Sequence, residues 1–230
     1  MIQSFYPKEI AGAIGVTKEL TETECSIFQG GTRKFIYKNG IINSKQHEVD
    51  NLNEKSLEIM FMCGVFSGWQ GFDRFVHEIK SYRGKEKIIA HIVGHLSLEQ
   101  QAELLENSNE LIEVIIHGYL DSVAYQKIIS RCKYGIAPLA IDRMGVSESS
   151  SLKVREYLSN GLLVITNHFD IALNDKPYTF DLRHQEFSNL ALHYERTNLT
   201  KTEIVELSYP YINKTKILER LLGQMTKEFP

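Results

Sequence analysis

The chain of 230 residues is 43% hydrophobic and 24% charged, with a formal net charge of -3, which suits one large globular domain or one and a half. That charge leaves no electrostatic footprint for nucleic acid, and no Lys/Arg cluster is interleaved with aromatics as strand binding requires. Every apolar run is too short to span a membrane, and Met1 to Ile10 lack the basic and then apolar order of a signal peptide, so a cytoplasmic location is expected.

From the N-terminus, Ala11 to Val16 reads as a short strand, Thr17 to Ile27 as a helix, and Arg33 to Tyr37 as a second strand ending at Asn39-Gly40. One such unit cannot cover both faces of a parallel sheet, so it must pack on something else. The polar stretch Asn43 to Lys55 reads as a linker and places a domain boundary at 44–56. Strands and helices then alternate: strand Glu58 to Val65, helix Gly71 to Tyr82, strand Lys87 to Val93, helix Leu98 to Asn107, strand Leu111 to Ile116, helix Asp121 to Ser130, strand Tyr134 to Ala137. This alternation predicts an α/β fold, a doubly wound parallel sheet within 57–230, with ligand at the carboxyl ends of its strands. After Thr166 come an edge strand, Lys176 to Phe180, and helices Gln185 to Arg196, Lys201 to Leu207 and Asn213 to Glu228.

Pro138 to Thr166 carries the densest chemistry. A helix from Ser150 to Ser159 is expected there, capped by Ser149 or Ser150 and closed by Asn160-Gly161, before the buried strand Leu162 to Ile165. Glu148 precedes the helix and Glu156 lies inside it, about 12 Å apart along the axis. The backbone N–H groups of Ser150, Ser151 and Leu152 would suit an anion, with Lys153 and Arg155 adding positive charge. An ordinary solvated helix face accounts for the same spacing.

Two further loops, Ser67 to Gly71 and His117 to Leu120, fall on the same rim. Ser67-Gly68-Trp69-Gln70-Gly71 lets backbone approach a ligand but is neither the dinucleotide fingerprint nor a Walker loop. Arg74, in the following helical turn, suits either phosphate or a surface ion pair, and Trp69 suits either core or site. His117, at a strand end, is read as a surface histidine or a site group. The eight histidines form no ligand spacing, and no aspartate pair stands at a strand end, so no metal site is expected. Cys25, Cys63 and Cys132 read as reduced thiols.

Glu148 and Glu156, seven residues apart and ahead of Gly161-Leu162-Leu163-Val164-Ile165, resemble the acidic pair and "GxPVI" strand of the retaining glycosyltransferases of family 4, of GT-B fold. Cys63-Gly64-Val65-Phe66 with Trp69-Gln70-Gly71-Phe72-Asp73-Arg74 resembles a Trp-x-Gly-x-Asp-Arg branch, and His117-Gly118-Tyr119-Leu120 resembles its "xGxL" turn. Val93-Gly94-His95 matches the family's "VGxG" turn only partly. The resemblance runs from Glu58 to Thr166 and implies the C-terminal, nucleotide-sugar-binding half of the fold. Residues 1–43 then correspond to the end of an N-terminal acceptor domain.

The resemblance implies sugar transfer from a nucleotide-diphosphate donor with retention, without cofactor or metal, to a saccharide or lipid-linked acceptor. Glu148 is the catalytic candidate, contacting the donor sugar, while Glu156 would take the ribose and Gly118, Tyr119 and Leu120 border the base. Gly68, Trp69, Gly71, Ser150, Ser151 and Leu152 complete the binding set. The family's diphosphate lysine beside Trp69-Gln70 is missing, and Arg74 and Lys153 are its replacements. Bacterial surface polysaccharide synthesis is the expected setting, in the cytoplasm or peripheral at the inner membrane face. The alternatives are a nucleotide-sugar-binding module working beside a separate acceptor domain, and a sugar-nucleotide epimerase, whose catalytic acids and histidines find no place here.

Overall fold

The structure, a computed structural model, describes residues 10–26, 32–42 and 56–229. The expected linker lies almost wholly outside the described residues. The N-terminal unit is a parallel pair, β1 (Gly12–Gly15) and β2 (Arg33–Ile36), joined through α1 (Lys18–Cys25). Thr17 caps α1 by accepting the Leu20 N–H at 3.2 Å.

The rest is one six-stranded, wholly parallel sheet in the order β5-β4-β3-β6-β7-β8. Its strands are β3 (Ser56–Val65), β4 (Lys87–His95), β5 (Ile112–Gly118), β6 (Tyr134–Ile136), β7 (Leu163–Thr166) and β8 (Thr179–Asp181). The helices between them are α2 (Phe72–Ser81), α3 (Leu98–Glu106), α4 (Ser122–Ile129) and α5 (Leu152–Ser159). Right-handed crossovers put α2 and α3 on one face and α4 and α5 on the other. Packing agrees: the Phe61 and Phe75 rings meet at 5.3 Å on the α2 side, while the Tyr157 hydroxyl of α5 accepts the Met62 N–H at 3.1 Å. With both faces covered, β3, β6 and β7 are near-continuous apolar runs. The doubly wound α/β fold expected from the alternation is therefore present.

Several boundaries differ from expectation. The expected edge strand shifts to Thr179–Asp181, and the helix expected from Gln185 opens as a 3₁₀ turn, Phe187–Asn189, before α6 (Leu190–Thr197). The next helix, α7 (Lys201–Ile212), runs through Pro210 instead of stopping at Leu207. Proline forfeits one backbone hydrogen bond near the helix end, and buried Ile212 holds the last turn in place. The last helix, α8 (Lys214–Glu228), returns the chain to the N-terminal unit, where the Ile41 N–H donates to the Ile212 carbonyl at 2.9 Å.

Candidate functional site

The chain leaves β3 in one direction to reach β5, then returns to β6 on the other side of β3. The crevice between the carboxyl ends of β3 and β6 is thus the sheet's switch point, where open α/β sheets take ligands. Its walls are the loop after β3 and the loop between β6 and α5.

These two loops are stapled together. The Leu139 N–H donates to the Gln70 carbonyl at 2.9 Å and the Ala140 N–H to that of Trp69 at 3.2 Å. Gly71 stands between them at φ 74°, and a Cβ there would lie 2.7 Å from Leu139 Cβ, so only glycine fits the turn. Two crossed ion pairs add to this: Arg74 grips Asp142 through both nitrogens at 2.7 and 2.6 Å, and Arg143 grips Asp73 at 2.8 and 2.6 Å. The guanidinium hydrogen bonds hold both aspartates below the usual carboxylate range. Arg74, expected as a phosphate ligand, is in this structure a loop fastener that also donates to the Leu139 carbonyl. Gly68 accepts from Arg143 at 2.8 Å, and Trp69 is half-buried in the same turn.

Lys153, in the first turn of α5, is the cation at the crevice. Its ammonium lies 2.5 Å from Gln70 Oε1, 3.0 Å from Cys63 Sγ and 5.3 Å from the Phe61 ring centre. Desolvation pushes its pKa below the usual lysine value, and burial pushes the Cys63 thiol up. No carboxylate among the described residues pairs with it.

The helix start differs from expectation. Ser151 is the N-cap residue and its side chain makes no capping bond. Ser150, expected to cap or to offer its N–H, is buried at 4% exposure: its Oγ accepts the Asn39 N–H at 3.0 Å and its carbonyl accepts from Asn39 Nδ2 at 2.6 Å. The open end of α5 is therefore that of Leu152, which is exposed, and Lys153. Arg155 points inward, fully buried, donates to Asn39 O at 3.0 Å and pairs with buried Asp170. It adds no charge to the rim.

The two acids part company. Glu148, 10% exposed, faces the N-terminal unit, accepting from Lys38 Nζ at 2.7 Å and from the Lys18 N–H at 2.9 Å. Glu19 returns the contact by accepting the Ser147 and Glu148 N–H groups at 2.8 and 3.1 Å, which holds its own carboxyl below the usual range. Glu156 sits on α5 against Tyr125 of α4, and burial raises its pKa. The Tyr125 hydroxyl is close enough to temper that rise but makes no hydrogen bond of normal geometry.

At the β5 end, Tyr119 reaches across β4: its hydroxyl donates to the Gly64 carbonyl at 2.9 Å and its ring stacks on His95 at 6.5 Å. Gly118, at φ 65°, makes the turn, and Leu120 packs against the core. His117 turns inward and begins a chain not foreseen from the sequence. Its Nε2 lies 2.9 Å from His91 Nδ1, His91 Nε2 lies 3.0 Å from Glu58, and Arg131 closes on Glu58 at 3.0 Å. The available signal was a glutamate and a histidine inside apolar strands, where polar side chains need partners. Burial lowers the His117 pKa. The three cysteines are free and buried, and no group of metal-ligating side chains occurs among the described residues.

No protein-family model matches the sequence, and no curated protein matches it significantly. Solved structures do match. A glycosyltransferase from Rickettsia africae aligns over 95% of this chain and 63% of its own, at 10% identity and TM-score 0.65. Anabaena HepE in complex with UDP and glucose aligns over 94% and 63%, at 11% identity and TM-score 0.60. The lipopolysaccharide outer core galactosyltransferase WaaB aligns over 94% and 62%, at 13% identity and TM-score 0.59. The chain spans less than two thirds of each of these proteins. It shares with them its α/β, Rossmann-like fold of GT-B type.

Proposed function

We propose that this chain binds the donor of a retaining glycosyltransferase, a nucleotide-diphosphate sugar, in the β3–β6 crevice. The observation that carries this reading is Lys153: a desolvated ammonium with no carboxylate partner among the described residues, at the start of a helix and at the sheet's switch point. The Lys153 charge and the free N–H groups of α5 suit a diphosphate, whose charge develops further as the sugar departs. Glu156 contacts the ribose, Gly118 to Leu120 border the base, and Glu148 meets the sugar's hydroxyls and serves its transfer. The donor's anomeric configuration is retained.

No metal takes part in this scheme, since Lys153 and the helix start supply the positive charge. The acceptor is a saccharide or lipid-linked sugar, bound with the help of an acceptor domain, and the setting is surface polysaccharide assembly in the cytoplasm or at the inner membrane face. No described helix is long and apolar enough to cross a membrane. A second reading, a nucleotide-sugar-binding module beside a separate acceptor domain, is favoured by Glu148 being already engaged by Lys38 Nζ and the Lys18 N–H. Sugar transfer measured with and without a supplied acceptor domain separates the two.

Calorimetric titration with UDP, GDP and their hexose conjugates tests the donor site. Either diphosphate is expected to bind equally with or without chelator. Glu156→Gln removes a charged acceptor, typically about 1.5–3 kcal/mol, and should weaken diphosphate and donor alike by roughly tenfold or more. Glu148→Gln should weaken only the donor. No effect from either variant would return both acids to the ordinary helix-face reading.

A further inference from the structure

Lys153 has four rotatable bonds and every electrostatic reason to swing into water, since burial disfavours its charge. Its inward pose therefore needs a cause. Gln70 supplies one. The residue is 6% exposed and ends the 3₁₀ turn Gly68–Gln70, and its carbonyl is fixed by the Leu139 N–H at 2.9 Å. Its side-chain oxygen accepts two donors, the Cys63 thiol at 3.0 Å and the Lys153 ammonium at 2.5 Å. The third neighbour is the Phe61 ring. An amide oxygen accepts a strong hydrogen bond from an ammonium without cancelling its charge. A carboxylate at the same place would neutralise it, and a hydrocarbon would leave it with a thiol and a ring.

We propose that Gln70 is a positioning residue, one that holds Lys153 charged, inward and uncompensated in the β3–β6 crevice, ready for a diphosphate. The inference rests on the reading of Lys153 as the diphosphate's cation. It adds that the amide side chain at position 70 sets both the place and the charge state of that cation. From β3, Cys63 is the titratable group that faces the ammonium, and its raised pKa keeps it neutral. On α5 itself, Arg155 turns to Asp170 and Glu156 to Tyr125.

The test follows UDP and GDP affinity from pH 6 to 10 by calorimetry in the whole chain. Lys153→Met serves as the baseline for ionisation of the nucleotide, and each variant's fold is checked by circular dichroism. Lys153 binds anions only while protonated, so wild-type affinity should fall as pH rises through its lowered pKa. Gln70→Leu should shift that fall to lower pH and weaken binding tenfold or more at pH 8. Gln70→Glu should shift it to higher pH while also weakening binding about tenfold at pH 7, because the new carboxylate opposes the diphosphate. Opposite displacements are not produced by general loosening of the fold. If Lys153→Met weakens binding yet both Gln70 variants keep the wild-type pH limb, the positioning role is overturned and the donor site stands. If the wild type binds neither nucleotide, the donor site falls and takes this inference with it.

Discussion

His168 shows how one side chain ties stability to pH. It is 4% exposed, and its Nδ1 donates to the Pro138 carbonyl at 3.0 Å, which leaves Nε2 a buried acceptor without a partner among the described residues. Adding a proton there would bury a charge, so desolvation lowers its pKa to about 4. The unfolded chain takes up that proton near pH 6.5, so stability is full above this value and falls as pH drops toward 4, by up to about 3 kcal/mol. Burial lowers His117 and His193 as well, adding to the same slope. Urea unfolding of wild type and His168→Gln at pH 7 and 5 should show a clearly smaller loss in the variant. Equal losses would mean that His168 is not held neutral. At this scale the sequence was legible where a residue acts through its own element: Lys153 and Glu156 stand on the helix start and helix where their spacing put them. It was not legible where a partner lies far along the chain. Asn39 claims Ser150, Asp142 claims Arg74, and Lys38 claims Glu148, and no local pattern announces any of these.

Among the elements, strands and helices of the sheet were readable because alternation and apolar runs reflect burial on two faces. Ends were less so, since caps and turns answer to neighbours. Gly94, at the end of β4, illustrates the point: its φ is 121°, and an added Cβ would lie 1.6 Å from the Cys63 carbonyl oxygen. That contact is backbone, so neither side can swing aside. The register shift between Met62 and Val65 occurs at the same place. Gly94→Ala must therefore push β3 and β4 apart where the crevice begins, at a cost of roughly 2–4 kcal/mol. Chemical denaturation should record that loss, with nucleotide affinity falling too. A variant as stable as wild type would show that the strand ends can part more freely than this backbone contact implies.

For the molecule as a whole, the N-terminal unit is bound to the sheet by polar contacts that converge on the 147–155 stretch. Arg155 is the deepest of them, joining Asn39 O, the carbonyl of Ser151 and Asp170 with no exposed surface. Arg155→Met should leave Asp170 charged and buried, and removing one partner of such a pair costs about 3–5 kcal/mol. Pairing it with Asp170→Leu should recover much of the loss, which a urea series on the two variants can measure. If the single variant lost less than about 1 kcal/mol, the contact would be incidental to the fold.

The strand order also dictates a sequence of events during synthesis. β3 has β4 on one side within a few tens of residues, but its other neighbour, β6, begins only at Tyr134. Until the ribosome has released that far, β3 carries a bare, apolar edge of the kind that chains in other molecules can pair with. The N-terminal unit waits longer still, because Ile41 is secured by Ile212 and Asn213. The stretch made before the sheet is thus fastened after it, and slow elongation between residues 65 and 213 would lengthen the time in which both lie open to a chaperone or to aggregation.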